Sequence, residues 1–545
     1  LQGAANSNTL VGAYAGDALT TSEKNTAVGF EALSTQATYS QNTAIGYRAL
    51  KVTNGGYYNT AVGHDALSAN LDGLNNTAVG HEAGLFATTA DNSTFVGFQA
   101  GKGITGTKLT GNRNTAFGAD AGLYLQGGAS ENCIFGALAG DAITTGGENC
   151  LFGMGAGGAI QTSIRNTFFG DDAGNTCTTG DSNVAIGHTA MGVGTTTGDY
   201  NIAIGHAAGK LISSGTMNTV VGGFAGDSLT TGTSNTAVGY LALSLEDAHG
   251  YNTAVGHSAL PVLNAGADGN NVAVGYYSGF TTSTGIDNTF LGTGAGGFCT
   301  TGDNNTFVGK HAGLGITGTK LTGNDNTAVG ENAGLLLQGA ANSNTLIGAG
   351  AGDSITTGSG NTCAGLGGGA EINTGDNNIA IGNDSHDGGT TGDNNISIGT
   401  SSTPSSAGVE NQITLGNSGT ASLRCQIQTI AALSDQRDKT DIIDLPYGLD
   451  FINQTRPVQY KWDIRDEYIN PKLGTNPHQG KVRNGFIAQE LLALGDAEQH
   501  QLAFNDNPDR LEASYGSLIP MLTKAIQELS AQVEALTARI TTLEG

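Results

Sequence analysis

Long apolar runs, charge, aromatic rings and proline are all scarce in this chain of 545 residues. No stretch of eighteen apolar residues occurs, which excludes a membrane-spanning helix. Charged residues make up 13% and aromatic residues 6%. So few large side chains cannot fill the three or four separate cores that a chain of this length would ordinarily hold. Proline numbers only 8, and glycine does not recur at every third position, which excludes a collagen helix. Basic residues total 22 against 47 acidic ones, a net charge of −25. A nucleic-acid surface needs clustered Lys and Arg, so that class of partner is excluded. The six cysteines (Cys133, Cys150, Cys177, Cys299, Cys363 and Cys425) include no CxxC pair. That argues against a zinc site or a dense disulfide framework, and no motif calls for a metal or cofactor.

What is abundant is glycine, 88 residues, and its distribution divides the chain. Residues 1–433 hold 81 of the glycines but 2 of the prolines; residues 434–545 hold the other 6 prolines and the sole tryptophan, Trp462. This predicts a shaft over 1–419, a connector over 420–433 and a separate domain over 434–545.

The long part is an internal repeat. A five-residue motif, most often Asn-Thr-Ala-Val-Gly, occurs 24 times between Asn8 and Gly416, and 17 of the 23 spacings are seventeen residues. The first position is Asn in 22 copies, with Ser93 and Gln412 the exceptions; the fourth is Val, Ile, Leu or Phe in 23, with Ala364 the exception. A short apolar stretch bounded by Thr-Gly-Asp or Gly-Asn turns reads as a strand. One strand per seventeen residues cannot enclose a core alone, so successive turns must stack as a parallel β-solenoid. Stacking sets each Asn over the next at about 4.8 Å, where side-chain amides form a ladder, and twenty-four such rises make a rod of about 115 Å. The bulky fourth residue is expected inside, as the apolar column. A coil so thin buries little, so side-by-side association is expected.

These Asn-Thr-Ala-Val-Gly repeats resemble the heads of trimeric autotransporter adhesins, and similar runs occur in viral fibres. The resemblance implies an all-β fold, a trimeric β-roll shaft. Residues 315–358 nearly repeat residues 103–146, and the opening LQGAANSNTLVG matches 337–348. The first residue thus falls within a duplicated block, and the chain reads as part of a longer fibre.

The C-terminal part carries the chemistry. It opens Ser434-Asp435-Gln436-Arg437-Asp438-Lys439, continues TDIIDLPYGLDFINQTRPVQYKW, and later reads Gly485-Phe-Ile-Ala-Gln-Glu490-Leu491 before a terminal helix. Together these resemble the intramolecular chaperone domain of endosialidases and phage tail fibres, a self-cleaving peptidase domain. The resemblance implies a Ser–Lys dyad: Ser434 as nucleophile, Lys439 as base, Asp435 and Arg437 in positioning roles, and a cut between Leu433 and Ser434. A serine hydroxyl needs such a base, and a lysine serves only when desolvation or a nearby cation keeps it neutral. At most this is one self-cleavage; no enzyme activity is expected in the shaft.

Leu522, Ile526, Leu529, Val533, Leu536, Ile540 and Leu543 follow 4-3-4-3 spacing, a coiled-coil seam within 518–545. Ile or Val at one core position with Leu at the other favours two strands in isolated peptides, whereas the resemblance implies three. Among weaker candidates, His64, His81, His188, His206 and His257 directly follow the motif glycine, where Phe30, Tyr47 and Phe98 stand in other turns. Packing, glycan contact and metal binding all remain open for that stripe. Cys133 and Cys150 share a motif position one turn apart, compatible with a disulfide or with two free thiols. The spacings of 21 residues bring in Lys102, Lys108, Arg113, Lys310 and Lys320 and are expected to project as loops.

The function expected is a homotrimeric tail fibre or spike, on a virion or other extracellular surface. It would attach to a host-surface glycan or protein receptor and join an upstream fibre or baseplate component. A bacterial or phage-derived adhesin fibre is the alternative. A polysaccharide-degrading tailspike fits less well, because a glycosidase needs two carboxylates held at fixed separation in a groove, whereas Asp and Glu here fall mostly in turns.

Overall fold

A computed structural model describes residues 7–35, 38, 40–420, 435–461, 482–494, 501–504 and 511–545. The chain divides into two units, Leu1–Ser343 and Asn344–Gly545. The fold is a parallel β-solenoid of 24 motif strands with few helices, as the repeat predicts. β1 (Thr9–Val11) to β19 (Thr327–Val329) lie in the first unit, and β20 (Thr345–Ile347) to β24 (Ile413–Leu415) in the second. Within each unit every motif strand pairs in parallel with the next, in register: Thr26 opposite Thr43, Ala27 opposite Ala44, Val28 opposite Ile45.

The asparagines make that register. Asn218 accepts the backbone N–H of Asn235 on its Oδ1 at 3.0 Å and donates from Nδ2 to the Gly232 carbonyl at 2.8 Å. The same pair of bonds recurs at Asn42, Asn59 and Asn166, among others. The ladder therefore runs chiefly from side chain to the next turn's backbone; direct amide–amide bonds supplement it in some turns, as from Asn132 to Asn114 at 3.0 Å. The motif glycine is required where strand bends into turn. Gly80 has φ +141°, and a Cβ there would lie 2.2 Å from the Gly97 carbonyl oxygen of the next turn, a position closed to any side chain.

The interior corrects one expectation. The third motif residue points inward and the fourth outward: Ala27, Ala44, Ala61 and Phe95 are fully buried, while Val11, Phe117 and Phe169 are more than half exposed. The reason is volume. Each turn has room for one or two large side chains, supplied from a few stacked positions, as by Ile134 and Ile143 in one turn. Where the third residue is Ala, Leu33, Leu50 and Leu67 fill the space from left-handed turn positions. Where it is Phe95, those positions must be Gly84 and Gly101, since a Cβ on Gly101 would lie 2.1 Å from the ring. With the inside full, the fourth residue has nowhere to go but out.

Near the end of the described solenoid the interior turns polar. His386 is buried and its Nδ1 lies 2.9 Å from Ser397 Oγ. Ser385 and Ser402 hydroxyls are buried beside it with no hydrogen-bond partner among the described residues.

After residue 434, α1 (Leu449–Ile452), β25 (Val458–Lys461), β26 (Val482–Gly485), α2 (Ala488–Leu492), β27 (Ala503–Phe504), β28 (Glu512–Ala513) and α3 (Ile519–Glu544) follow. β25 pairs antiparallel with β26, and β27 with β28. Phe451, Leu502, Leu518 and Met521 form a small core with Leu445, Tyr447, Ile452, Phe486 and Leu494 against it. Among the described residues no helix is long and apolar enough to cross a membrane.

Two outcomes follow from this interior. Asn218→Ala removes an acceptor and a donor at once and leaves the Asn235 N–H and the Gly232 carbonyl buried and unpaired. The loss should be about 2–4 kcal/mol, read as faster amide exchange at Asn235 with Asn201 and Asn166 unaffected; unchanged exchange at Asn235 would contradict the ladder. Burial lowers the His386 imidazole from 6.5 to about 4. The fold thus favours the neutral ring, and its contribution is complete above pH 6.5. It is lost as pH falls from 6.5 towards 4, by an amount on the order of 3 kcal/mol. Asp387, pushed up by burial and by Glu371, acts in the opposite sense. Amide protection around residues 386–402 should fall across that window, and His386→Leu should remove most of the dependence.

Candidate functional site

Four features stand out: the outward face of the solenoid, the ring stripe, the two long insertions and the C-terminal helix.

The outward face is built by the two-residue period of a strand. Thr or its equivalent at the second position and the apolar fourth residue lie on one side, and the third residue on the other. Phe117, Phe135, Phe152 and Phe169 stack along this face with ring centroids 5.7, 5.1 and 5.0 Å apart. Val79, Ile45 and Leu291 point the same way from their strands in the first unit, and Ile347, Ile381 and Ile398 do so within the second, each more than a third exposed. Contiguous apolar surface of this kind marks a site of association. The sequence reading placed these side chains inside. The signal that would have corrected it is the exchange between Phe at the third position and Gly in the flanking turns, which shows the interior already filled.

The residues after the motif glycine also point outward. Phe30, Tyr47, His64, His81 and Phe98 form one continuous stack with centroids 4.8–5.4 Å apart and planes within 19° of parallel. Their faces cover one another and only edges meet solvent. A sugar stacks on a ring face, so this stripe offers little to a glycan; it is better read as a packing ladder worth about 0.5–1.5 kcal/mol per pair. His64 and His81 belong to no metal-capable cluster among the described residues. The one cluster there is Glu246, Asp247 and His249, with donor atoms within 4.8 Å. Glu246 is fully buried where Leu229 and Leu263 stand in the adjoining turns. Its oxygens already accept from His249 N and Ala265 N at 3.1 and 3.4 Å, with His249 Nδ1 at 3.2 Å, an arrangement that closes a turn.

Both 21-residue spacings fold alike. Leu109 and Leu321 tuck inside, each making a parallel bridge to the turns on either side. Residues 105–108 and 317–320 are left exposed, two identical Thr-Gly-Thr-Lys tips. Most of the basic residues there are spent on neighbours: Lys102 pairs with Glu82 at 2.7 Å, Lys310 with Glu331 at 3.1 Å, and Arg113 with Glu131. Lys108 and Lys320, at the tips, form no ion pair among the described residues.

In the C-terminal part, Leu433 and Ser434 lie outside the described residues. Asp435 accepts the Arg437 backbone N–H at 2.9 Å and caps a 3-10 turn, Gln436–Asp438. The Arg437 guanidinium sits on the Asp435 carboxylate at 2.6 Å and holds it below the usual carboxylate range. Lys439 follows directly and is exposed on the single chain. Asp435 and Arg437 thus make a local clasp at the start of the domain, and Lys439 stands one residue past it. On the far side, Glu528 of α3 accepts the Leu449 N–H at 2.7 Å, and Arg456 pairs with Glu490. Met521 and Ala525 are the residues of α3 that bury against this small core. All seven seam residues, Leu522, Ile526, Leu529, Val533, Leu536, Ile540 and Leu543, are exposed, between 43% and 84%. The apolar seam is therefore not satisfied by its own domain.

Residues 434–499 match the family model described as chaperone of endosialidase. A search of curated proteins finds no match to the chain. A match to this family at the C-terminus, together with a long parallel β-solenoid, fits a tail-fibre-like protein.

Proposed function

We propose that the chain is the shaft and assembly domain of a homotrimeric fibre or spike, carried on a virion or another extracellular surface, that reaches a host surface. The observation that carries this reading is the pair of unpartnered apolar surfaces. The fourth motif residue is apolar in 23 of 24 copies, yet the single chain leaves it outside; the seam of α3 is likewise bare. A 26-residue helix with an open seam leaves seven large apolar side chains in water, a surface that marks a site of association. Three copies, the number implied by the resemblance of both parts to threefold fibres, would cover both surfaces at once. Register needs such a template, because turns this alike pair one step out at little cost.

In the same reading the domain cuts itself off between Leu433 and Ser434, with Ser434 as nucleophile, Lys439 as base, and Asp435 and Arg437 as positioning residues. Lys439 is exposed on one chain, and a lysine serves as a base only once it is desolvated or set beside another cation. Its desolvation would have to come from a neighbouring chain, which makes cleavage follow assembly. After the cut the shaft keeps its fold by a kinetic barrier. Wild-type protein should lose residues 434–545 under native conditions. Ser434→Ala and Lys439→Ala should each give an uncut trimer, and Leu529→Asp with Leu536→Asp should give uncut, misassembled chains. Denaturing gels with intact mass decide it: wild type that stays full length removes the peptidase role.

Receptor contact is assigned to the two Thr-Gly-Thr-Lys tips, which lie in the two longest of the six departures from the period of the acidic shaft and carry Lys108 and Lys320. Deleting residues 105–108 and 317–320, which takes out both tips with Lys108 and Lys320 and restores a spacing of seventeen, should leave the assembly intact and lower binding to host cells by about tenfold or more, since both copies of a multivalent contact are lost. Unchanged binding would put the receptor site elsewhere.

A further inference from the structure

We propose that Cys133 and Cys150 are a redox-active dithiol that closes into a disulfide between consecutive turns by exchange with a small-molecule disulfide of the glutathione class. The second motif position is Thr in 16 turns and Val or Ile in 6; Cys occupies it in these two alone, one directly after the other. The strands Cys133–Phe135 and Cys150–Phe152 pair in parallel with Cys133 opposite Cys150. Both side chains leave the sheet on its outward face, Cys150 exposed and Cys133 half-buried, and both are free thiols. They are close enough to interact: burial raises the Cys133 thiol, and its neighbour Cys150 raises it further. Cys177, Cys299 and Cys363 differ. They lie inside the solenoid, where burial pushes each thiol up to about 12, which makes them inert.

Geometry decides what kind of disulfide this is. In-register strands stand about 4.8 Å apart, inside the Cα range of about 4.4–6.8 Å that a disulfide spans. Parallel Cβ vectors keep nearly the same separation, about 1 Å more than the Cβ distance that a relaxed disulfide prefers. Closing the bond draws the two turns together, and a bond under such strain is readily reduced. In the exchange, the Cys150 thiolate attacks one sulfur of the small disulfide and releases one small thiolate. The Cys133 thiolate then attacks the Cys150 sulfur and releases the second. Two protein thiols give up two protons and two electrons, and the small disulfide becomes two thiols. The product staples turn eight to turn nine, beside the Phe117–Phe169 stack, and so marks one register in an array of near-identical turns. The bond lies within one chain and holds whether or not the chains associate.

The test folds the full-length chain from denaturant in a series of oxidised-to-reduced glutathione ratios, followed by acid quench, alkylation, digestion and mass spectrometry. Refolding avoids any dependence on access in the finished assembly. The expected result is a cross-linked peptide joining Cys133 to Cys150 within one chain, rising with oxidant and lost on reduction. It should form at least tenfold more in the folded chain than in a control held in denaturant, and either Cys133→Ser or Cys150→Ser should abolish it. Amide exchange at residues 133–135 and 150–152 should be slower in the oxidised form. The proposal is overturned if both thiols are recovered free or only as glutathione adducts at every ratio. It is equally overturned if the cross-link joins separate chains on a non-reducing gel, or forms to the same extent in denaturant.

Discussion

Every turn of this solenoid is completed by the next one. The backbone N–H that opens a motif strand has no partner in its own turn and is accepted by the asparagine oxygen of the turn before, as Asn235 is by Asn218. The Asn amide in turn holds a carbonyl fourteen residues on, in the loop that leads to the following strand. A buried backbone group left unpaired is expensive, so a turn is stable only when a neighbour stands in register. That requirement brings the strands into a parallel array, fixes their spacing and forces glycine at the bend, where Gly80 and Gly97 approach too closely for a Cβ.

The array is thin, and its inside is soon full. One or two large side chains per turn satisfy the interior, as Phe95, Leu50, or Ile134 with Ile143 do. Any further apolar residue must face outward, and the fourth motif position does so turn after turn. The single chain thus carries an exposed apolar face as a by-product of its own limited cross-section. The same tension recurs in α3, where Met521 and Ala525 anchor the helix to a small core and the seven seam residues remain bare. In the function proposed here, association of several chains would cover both surfaces at once.

The C-terminal hexad illustrates how far local geometry goes. Asp435 and Arg437 make their clasp within three residues, by a cap and an ion pair that need nothing else. The chemistry proposed for Ser434 and Lys439 needs more, a dry environment for the lysine, and Lys439 is exposed on one chain. In the shaft, likewise, the stripe of rings is organised by mutual stacking, and most cations of the insertions by nearby carboxylates. Local sequence places these groups; their neighbours decide what they remain available for.

The repeat, its period and the strand at each motif were legible in the sequence because a seventeen-residue unit with one apolar pentapeptide has few ways to bury itself. The Asn ladder was legible for the same reason, though its bonds run to backbone more than to amide. The terminal seam was written in its heptad spacing, and the hexad in its order of residues. Which side of the strand faces inward was not legible. Alternation says only that the third and fourth residues oppose each other, and either can be apolar; the choice depends on Leu33, Leu50 and Leu67 reaching the interior from turns that no strand pattern marks. Nor could the sequence tell that Lys102, Arg113 and Lys310 are taken up by Glu82, Glu131 and Glu331. Those pairs join residues roughly a full turn or more apart, and only the stacking of one turn on another brings them within reach.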